Sequence, residues 1–209
     1  MIYEPAEDSF LLKKFVKKYS KNLVLDVGTG SGIQAKEAAE KADLVIALDI
    51  DKDVIKHCKK NIQNKNIYFF KSNLFQIFED NFFFYDKVDN NLEIYDKKNV
   101  KEREKRRILN KKQIKFDLIV FNPPYLPQEL KVKDLVSEGG KKGYEVLEKF
   151  FNKVSKYLKK DGKILIVFSS LTNKRKINEL IERNKLKFVE LEKKHIFFED
   201  LYVYYIAKP

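Results

Sequence analysis

One cysteine, Cys58, stands in 209 residues, which excludes an internal disulfide and a cysteine-rich zinc clip. A lone thiol fits a reducing, cytoplasmic setting. Tryptophan is absent. No run of 18 apolar residues occurs, so no membrane-spanning helix is expected. The opening Met1-Ile2-Tyr3-Glu4-Pro5 has no basic segment ahead of an apolar one and does not read as a secretory signal. Arginine is scarce, with five (103, 106, 107, 175 and 183) against 38 lysines. Only five prolines and seven glycines punctuate the chain, so the places where they cluster are informative.

The net charge is +12, which admits a nucleic-acid or ribosomal partner. Surfaces that read phosphate favour the planar fork of arginine. The excess here is lysine, with isoleucine and asparagine abundant throughout, so a compositional bias accounts for the charge more simply. A hydrophobic fraction of 44% supports one packed domain, 1–209.

Apolar, strand-like runs occupy 23–27, 44–50, 67–71, 116–121, 163–169, 188–195 and 202–207. Helical stretches are expected at 9–19, 33–41, 52–63, 144–158 and 174–184. This alternation predicts an α/β fold, a doubly wound and mostly parallel seven-stranded sheet covered on both faces. The last two runs are joined by a short link, 198–201, and predict an antiparallel hairpin. One segment, 76–115, is too long for an ordinary connection. Its centre predicts a hairpin, 82–85 and 92–95, around an Asp-Asn-Asn turn. The charged stretch 97–112 that follows predicts either a solvated helix or a disordered arm.

Three clusters carry chemistry. Asp26-Val27-Gly28-Thr29-Gly30-Ser31-Gly32 follows the first strand and opens a helix. Alternate glycines there allow a tight turn and close backbone approach to a ligand. Asp49 ends the second strand roughly 20 residues on, where a carboxylate can take the hydroxyls of a ribose. Asp51 is expected to cap the next helix. Asn122-Pro123-Pro124-Tyr125 follows the strand 116–121, and neither proline can continue a ladder. The amide of Asn122 and the carbonyl of Pro123 become fixed acceptors with an aromatic ring beside them. That combination suits a planar –NH2 group. His57 and Cys58 lie mid-helix and His195 in a strand, with no partners near in sequence to make a metal site, and all three read as structural.

These clusters resemble a known family. Asn122-Pro123-Pro124-Tyr125 is similar to the NPPY box of methyltransferases that modify amide or exocyclic nitrogens. The glycine loop with Asp26 resembles an S-adenosylmethionine loop. Tyr3-Glu4-Pro5-Ala6-Glu7-Asp8-Ser9-Phe10-Leu11-Leu12, the run Phe121-Asn122-Pro123-Pro124-Tyr125-Leu126-Pro127 and Gly139-Gly140-Lys141-Lys142-Gly143-Tyr144-Glu145-Val146 resemble the HemK-related glutamine methyltransferases of archaea and eukaryotes. The resemblance implies the class I methyltransferase fold and S-adenosylmethionine as cofactor. It implies methylation of the glutamine in the Gly-Gly-Gln loop of a class I release factor. By the same resemblance Asp8, Ser9, Asp26, Gly28, Gly30, Asp49, Asn73, Leu74 and Asn122 contact the cofactor. Asn122, Pro123, Pro124 and Tyr125 hold the substrate amide. Asn73 stands where the family usually has Asp, and Ser137 where relatives often carry Trp.

Two other functions are weighed. NPPY also serves aminopurines, which admits N6-adenine methylation of DNA or RNA, although no separate target-recognition domain is evident. A non-catalytic scaffold is opposed by the intact motifs. The resemblance further implies a small zinc-binding activator at the sheet edge formed by Ile67, Tyr68, Phe69 and Phe70. An exposed apolar edge is a liability, so the inserted hairpin is expected to cover it in place of that partner.

Overall fold

Side chains alternate across a strand, so a strand buried on both faces supplies two cores at once. In β1 (Asn22–Val27), Leu23, Leu25 and Val27 join one core, while Val24 joins the other. In β2 (Ala42–Asp49), Leu44, Ile46 and Leu48 fall on the first side and Val45 and Ala47 on the second. A computed structural model describes residues 4–99, 113–125 and 142–209. Most of the charged stretch 97–112 therefore lies outside the described residues, as do Tyr3, Leu126, Pro127, Ser137, Gly139 and Gly140.

The chain runs α1 (Glu7–Tyr19), β1, α2 (Ile33–Ala39), β2, α3 (Lys52–Asn61), β3 (Ile67–Lys71) and α4 (Gln76–Asp80). It continues through β4 (Asn81–Asp86), β5 (Asn91–Asp96), β6 (Phe116–Phe121) and α5 (Glu145–Tyr157). It ends with β7 (Leu158–Ser169), α6 (Lys174–Arg183), β8 (Lys187–Ile196) and β9 (Glu199–Ala207). Seven strands form one sheet in the order β3-β2-β1-β6-β7-β9-β8, parallel except for β9, which opposes both neighbours. Helices α1, α2 and α3 cover one face through Leu12, Val16, Ala35, Ala38, Ile55 and Cys58. Helices α5 and α6 cover the other through Phe150, Phe151, Val154, Ile177 and Ile181.

The sheet is doubly wound, as expected, and its winding reverses between β1 and β6. Ligands of such sheets bind at the carboxyl ends beside that reversal. Val27 and Phe121 are register partners there. The glycine loop and Asn122 therefore leave the sheet side by side.

Two boundaries differ from the pattern in the sequence. Strand β7 begins at Leu158, directly after α5, where Lys-Lys-Asp-Gly reads as a turn. The ladder tolerates this through a register shift opposite Phe116 and Leu118. Gly162 is needed there, because a Cβ would sit 2.7 Å from the Phe116 carbonyl oxygen. The link between β8 and β9 is only Phe197-Phe198, because Glu199 and Asp200 remain in the ladder. Asp200 is held across the strands by Lys193 at 2.8 Å and His195 at 3.0 Å.

The inserted hairpin forms as β4 and β5 but does not cover the β3 edge. The two strands pair only with each other, as a separate two-stranded sheet. Phe83 is fully buried and packs edge-on to Phe78 at 4.8 Å and Phe70 at 5.6 Å. The Phe83 carbonyl accepts from Ile114 N at 2.7 Å, and Lys87 reaches Asp43 at 2.9 Å. Burying an aromatic wedge in the face core outweighs adding backbone to an edge. Among the described residues, the outer edge of β3 has no strand partner. Phe83→Ala is expected to cost about 3–5 kcal/mol, read as a lower denaturation midpoint. An unchanged midpoint would mean the hairpin is not part of the core.

Candidate active site

The glycine loop is built from left-handed turns, with φ of 67° at Gly28, 53° at Gly30 and 80° at Gly32. Gly32 is also a packing requirement, since a Cβ there would lie 2.3 Å from Ile62 Cδ1 and 3.3 Å from Cys58 Sγ. Asp26 is 1% exposed, and its carboxylate accepts from Thr29 Oγ1 at 2.7 Å and Ala35 N at 3.1 Å. It thus ties the loop to the start of α2. Burial raises the Asp26 pKa to about 7, against the two hydrogen bonds, which lower it. Asp49 accepts from Gly30 N at 3.0 Å and Asp51 N at 2.9 Å, and burial again raises its pKa. Asp51 caps α3 by accepting from Asp53 N at 2.8 Å. Cys58 Sγ donates to the Gly30 carbonyl at 3.3 Å, and burial pushes its thiol up to about 12. It stays protonated and supports the loop mechanically.

Beside Asp49, Ser72 N donates to the Asp49 carbonyl at 2.8 Å. Ser72 Oγ donates to the Leu74 carbonyl at 2.9 Å and accepts from Ile77 N at 3.0 Å. This closes a turn in which Leu74 has φ 49° and Asn73 is exposed. Ile50, just past β2, is 62% exposed and presents an apolar surface on the same rim.

Asn122 and Tyr125 converge on the first turn of α1. Asn122 Nδ2 donates to Asp8 Oδ2 at 3.1 Å and approaches Ser9 Oγ at 3.4 Å. Tyr125 OH donates to the same Asp8 oxygen at 3.1 Å. Asp8 and Ser9 are 4% and 2% exposed, and Pro123 is buried between them and the sheet end. Asn122 Oδ1 is buried with no hydrogen-bond partner among the described residues. Below, Gln34 Nε2 donates to the Ser9 carbonyl at 2.8 Å, while Gln34 Oε1 is also buried without a partner. The Tyr125 carbonyl accepts from Thr172 Oγ1 at 2.9 Å.

The structure therefore brings Asp8, Ser9, Asn122, Pro123 and Tyr125 together, next to the loop of Asp26, Gly28 and Gly30. Asp49, Asn73 and Leu74 lie one and two strands further along the rim. Four contributors escape a linear reading: Gln34, Ile50, Ser72 and Thr172. Gln34 had a signal, as a polar residue on an apolar helix face. Thr172 sits in a hydroxyl-rich run at the end of β7.

Residues 33–208 match the sequence model of the BMT5-like family, described as rRNA (uridine-N3-)-methyltransferase BTM5-like. A Methanocaldococcus jannaschii protein, provisionally named protein N5-glutamine methyltransferase, is 35% identical over 188 residues, 86% of this chain and 78% of the relative. The chain belongs to the HemK-related methyltransferases. A Bacteroides thetaiotaomicron protein named tRNA1(Val) (adenine(37)-N6)-methyltransferase is 26% identical over 164 residues, covering 77% of this chain and 57% of that one. In fold, a chain of the solved E. cuniculi Mtq2–Trm112 complex, responsible for methylation of the eRF1 translation termination factor, is similar with a TM-score of 0.67 at 18% identity. That match covers 100% of this chain and 99% of the other.

In this methyltransferase the buried Asp26 makes stability depend on pH. Its folded pKa, about 7, lies above the ordinary 3.8, so the folded state binds the proton more tightly. The Asp26 contribution is fully present below the ordinary carboxylate range and is lost as pH rises through about 7. Replacing the carboxyl removes that loss. The melting temperature of Asp26→Asn minus that of the wild type should therefore grow as pH is raised from the carboxylate range to above neutrality. A difference that stays flat across this window would show that Asp26 titrates normally.

Proposed function

We propose that this methyltransferase uses S-adenosylmethionine and methylates the side-chain amide nitrogen of a glutamine, in the Gly-Gly-Gln loop of a class I translation release factor. The supporting observation is the state of Asn122. Its NH2 donates to Asp8, and its oxygen is buried without a donor. Such an orphan costs about 1–3 kcal/mol, and a substrate –NH2 relieves it.

An amide nitrogen is a poor nucleophile because its lone pair is delocalised into the carbonyl. Asn122 Oδ1 and the Pro123 carbonyl would hold its two hydrogens and stabilise positive charge as it develops on nitrogen. The Tyr125 ring would lie against the amide plane while its hydroxyl stays anchored on Asp8. Fixing the nitrogen in line for transfer supplies most of the remaining acceleration. Bound S-adenosylmethionine would supply a methyl group made electrophilic by its sulfonium. Asp26, Gly28 and Gly30 would hold its methionine portion with Asp8 and Ser9, and Asp49 would take the ribose hydroxyls. Ile50, Asn73 and Leu74 would face the adenine. The fit is supported by the exposed apolar surface of Ile50 beside Asp49 and by the unpartnered buried oxygens of Asn122 and Gln34.

A small activator subunit, zinc-binding in the family that the sequence resembles, would suit the outer edge of β3. Ile67, Tyr68, Phe69 and Phe70 border a shallow cavity of about 200 Å³ there with Lys59 and Ile62. A second acceptor class, an adenine amino group in RNA or DNA, is favoured by the +12 charge and by the likeness to a tRNA adenine-N6 methyltransferase.

Labelled S-adenosylmethionine offered with the release factor, with its loop-glutamine variant and with adenine-containing nucleic acid distinguishes the two. Label is expected on the unmodified factor alone, and label on nucleic acid alone would overturn the glutamine assignment. Asn122→Ala should lose about 10²–10³ in kcat with cofactor affinity retained. Near-normal turnover by that variant would remove the amide clamp from the mechanism.

A further inference from the structure

The turn between β8 and β9 breaks two rules of its kind. Two-residue hairpin turns take a left-handed backbone at their first position, which favours Gly or Asn there. Here Ile196 and Glu199 close a turn made of Phe197-Phe198, and Phe197 has φ 45°. A bulky residue in that region is strained. Both phenyl groups are also almost fully solvated, Phe197 at 84% and Phe198 at 97% exposure. Single exposed apolar residues are ordinary. Two adjacent aromatics on a strained tip are a local conflict that folding alone does not explain.

The tip stands on the catalytic edge. Strand β9 opposes β7, with Leu201 opposite Ser169, so its start lies at the carboxyl ends of the parallel strands. Ser170 N donates to the Asp200 carbonyl at 2.7 Å, and Asp200 N donates to Ser170 Oγ at 2.9 Å. Two residues on, Thr172 holds the carbonyl of Tyr125. A short hydrogen-bonded path therefore runs from the clamp to the turn. Two to three strand spacings of about 4.8 Å put the tip on the order of 12 Å to the side of Asn122, and the register carries Phe198 five residues, roughly 16 Å, beyond it along the strand.

The charges around the tip argue against a polyanion. Lys193 and His195 are paired with Asp200, Lys174 with Glu190, and Lys14 with Glu192. Lys194 is the exposed cation without an acidic partner among the described residues. Glu199, next to Phe198, has a buried carboxylate oxygen with no hydrogen-bond partner among the described residues. A carboxylate repels phosphate and accepts a peptide N–H.

We propose that the Phe197-Phe198 turn is a docking element for the protein acceptor, taking an apolar side chain of the segment that flanks the methylated amide. Glu199 would accept a backbone N–H of that same segment. The proposal rests on a protein acceptor, as argued above. Phe197→Gly combined with Phe198→Asn puts glycine at the left-handed first position, so the fold should be kept or strengthened. In the full chain, with its activator if one is needed, this variant should melt no lower than the wild type and bind S-adenosylmethionine unchanged. Its KM for the release factor should rise on the order of tens-fold with kcat retained, and Phe198→Tyr should stay close to wild type. If the wild type labels the factor and the double variant shows an unaltered KM, the docking element is refuted while the glutamine assignment stands. Label on nucleic acid alone by the wild type refutes the protein acceptor itself, and the docking element with it.

Discussion

The carboxylate of Asp8 decides which way the amide of Asn122 faces. A side-chain amide has a donor end and an acceptor end of nearly equal size, and only its neighbours choose between them. Asp8 accepts from both Asn122 and Tyr125, so it claims the donor end and leaves the acceptor end without a partner. Were the amide reversed, two acceptors would meet at Asp8 and the hydrogens would point the other way. The orientation of Asn122 thus depends on a residue more than 100 positions earlier in the chain, brought close because α1 packs against α2 and β7 on one face of the sheet.

The other half of the site is organised by acids that face inward. Asp26 and Asp49 both use their oxygens on backbone N–H groups of the loop and the helices that follow it. Burial holds their proton affinity up, and the hydrogen bonds oppose it. The loop is therefore tied to both acids by hydrogen bonds of its own. Cys58 and Ile62 close in on Gly32 from behind, which is why that glycine is needed for packing.

The insertion between β3 and β6 has a different logic. It supplies aromatic side chains to the face core, with Phe78 and Phe83 packed among Phe70, Phe116 and Tyr157. The edge of β3 gains nothing from it, since β4 and β5 pair only with each other. Among the described residues, the outer edge of β3 therefore has no strand partner.

Much of this was legible in the linear pattern. Near-continuous apolar runs such as 116–121 located the parallel strands, and the double proline after Phe121 marked where the strand stops. The glycine turn and the helix cap at Asp51 were readable because they are set by neighbours within a few residues. Glu199 and Asp200 looked like turn residues, and only cross-strand pairing with Lys193 and His195 keeps them in the ladder. The inserted hairpin could be read as a hairpin, but whether it would join an edge or a face depended on which distant aromatics it could bury. By itself the sequence determined most of the elements and the mostly parallel, doubly wound sheet with its closing hairpin, because those follow from periodicity and turn chemistry. The orientation of Asn122, the burial of Gln34 and the placing of Phe197-Phe198 on the catalytic rim were decided only in the tertiary structure, because each depends on contacts between segments far apart in the chain.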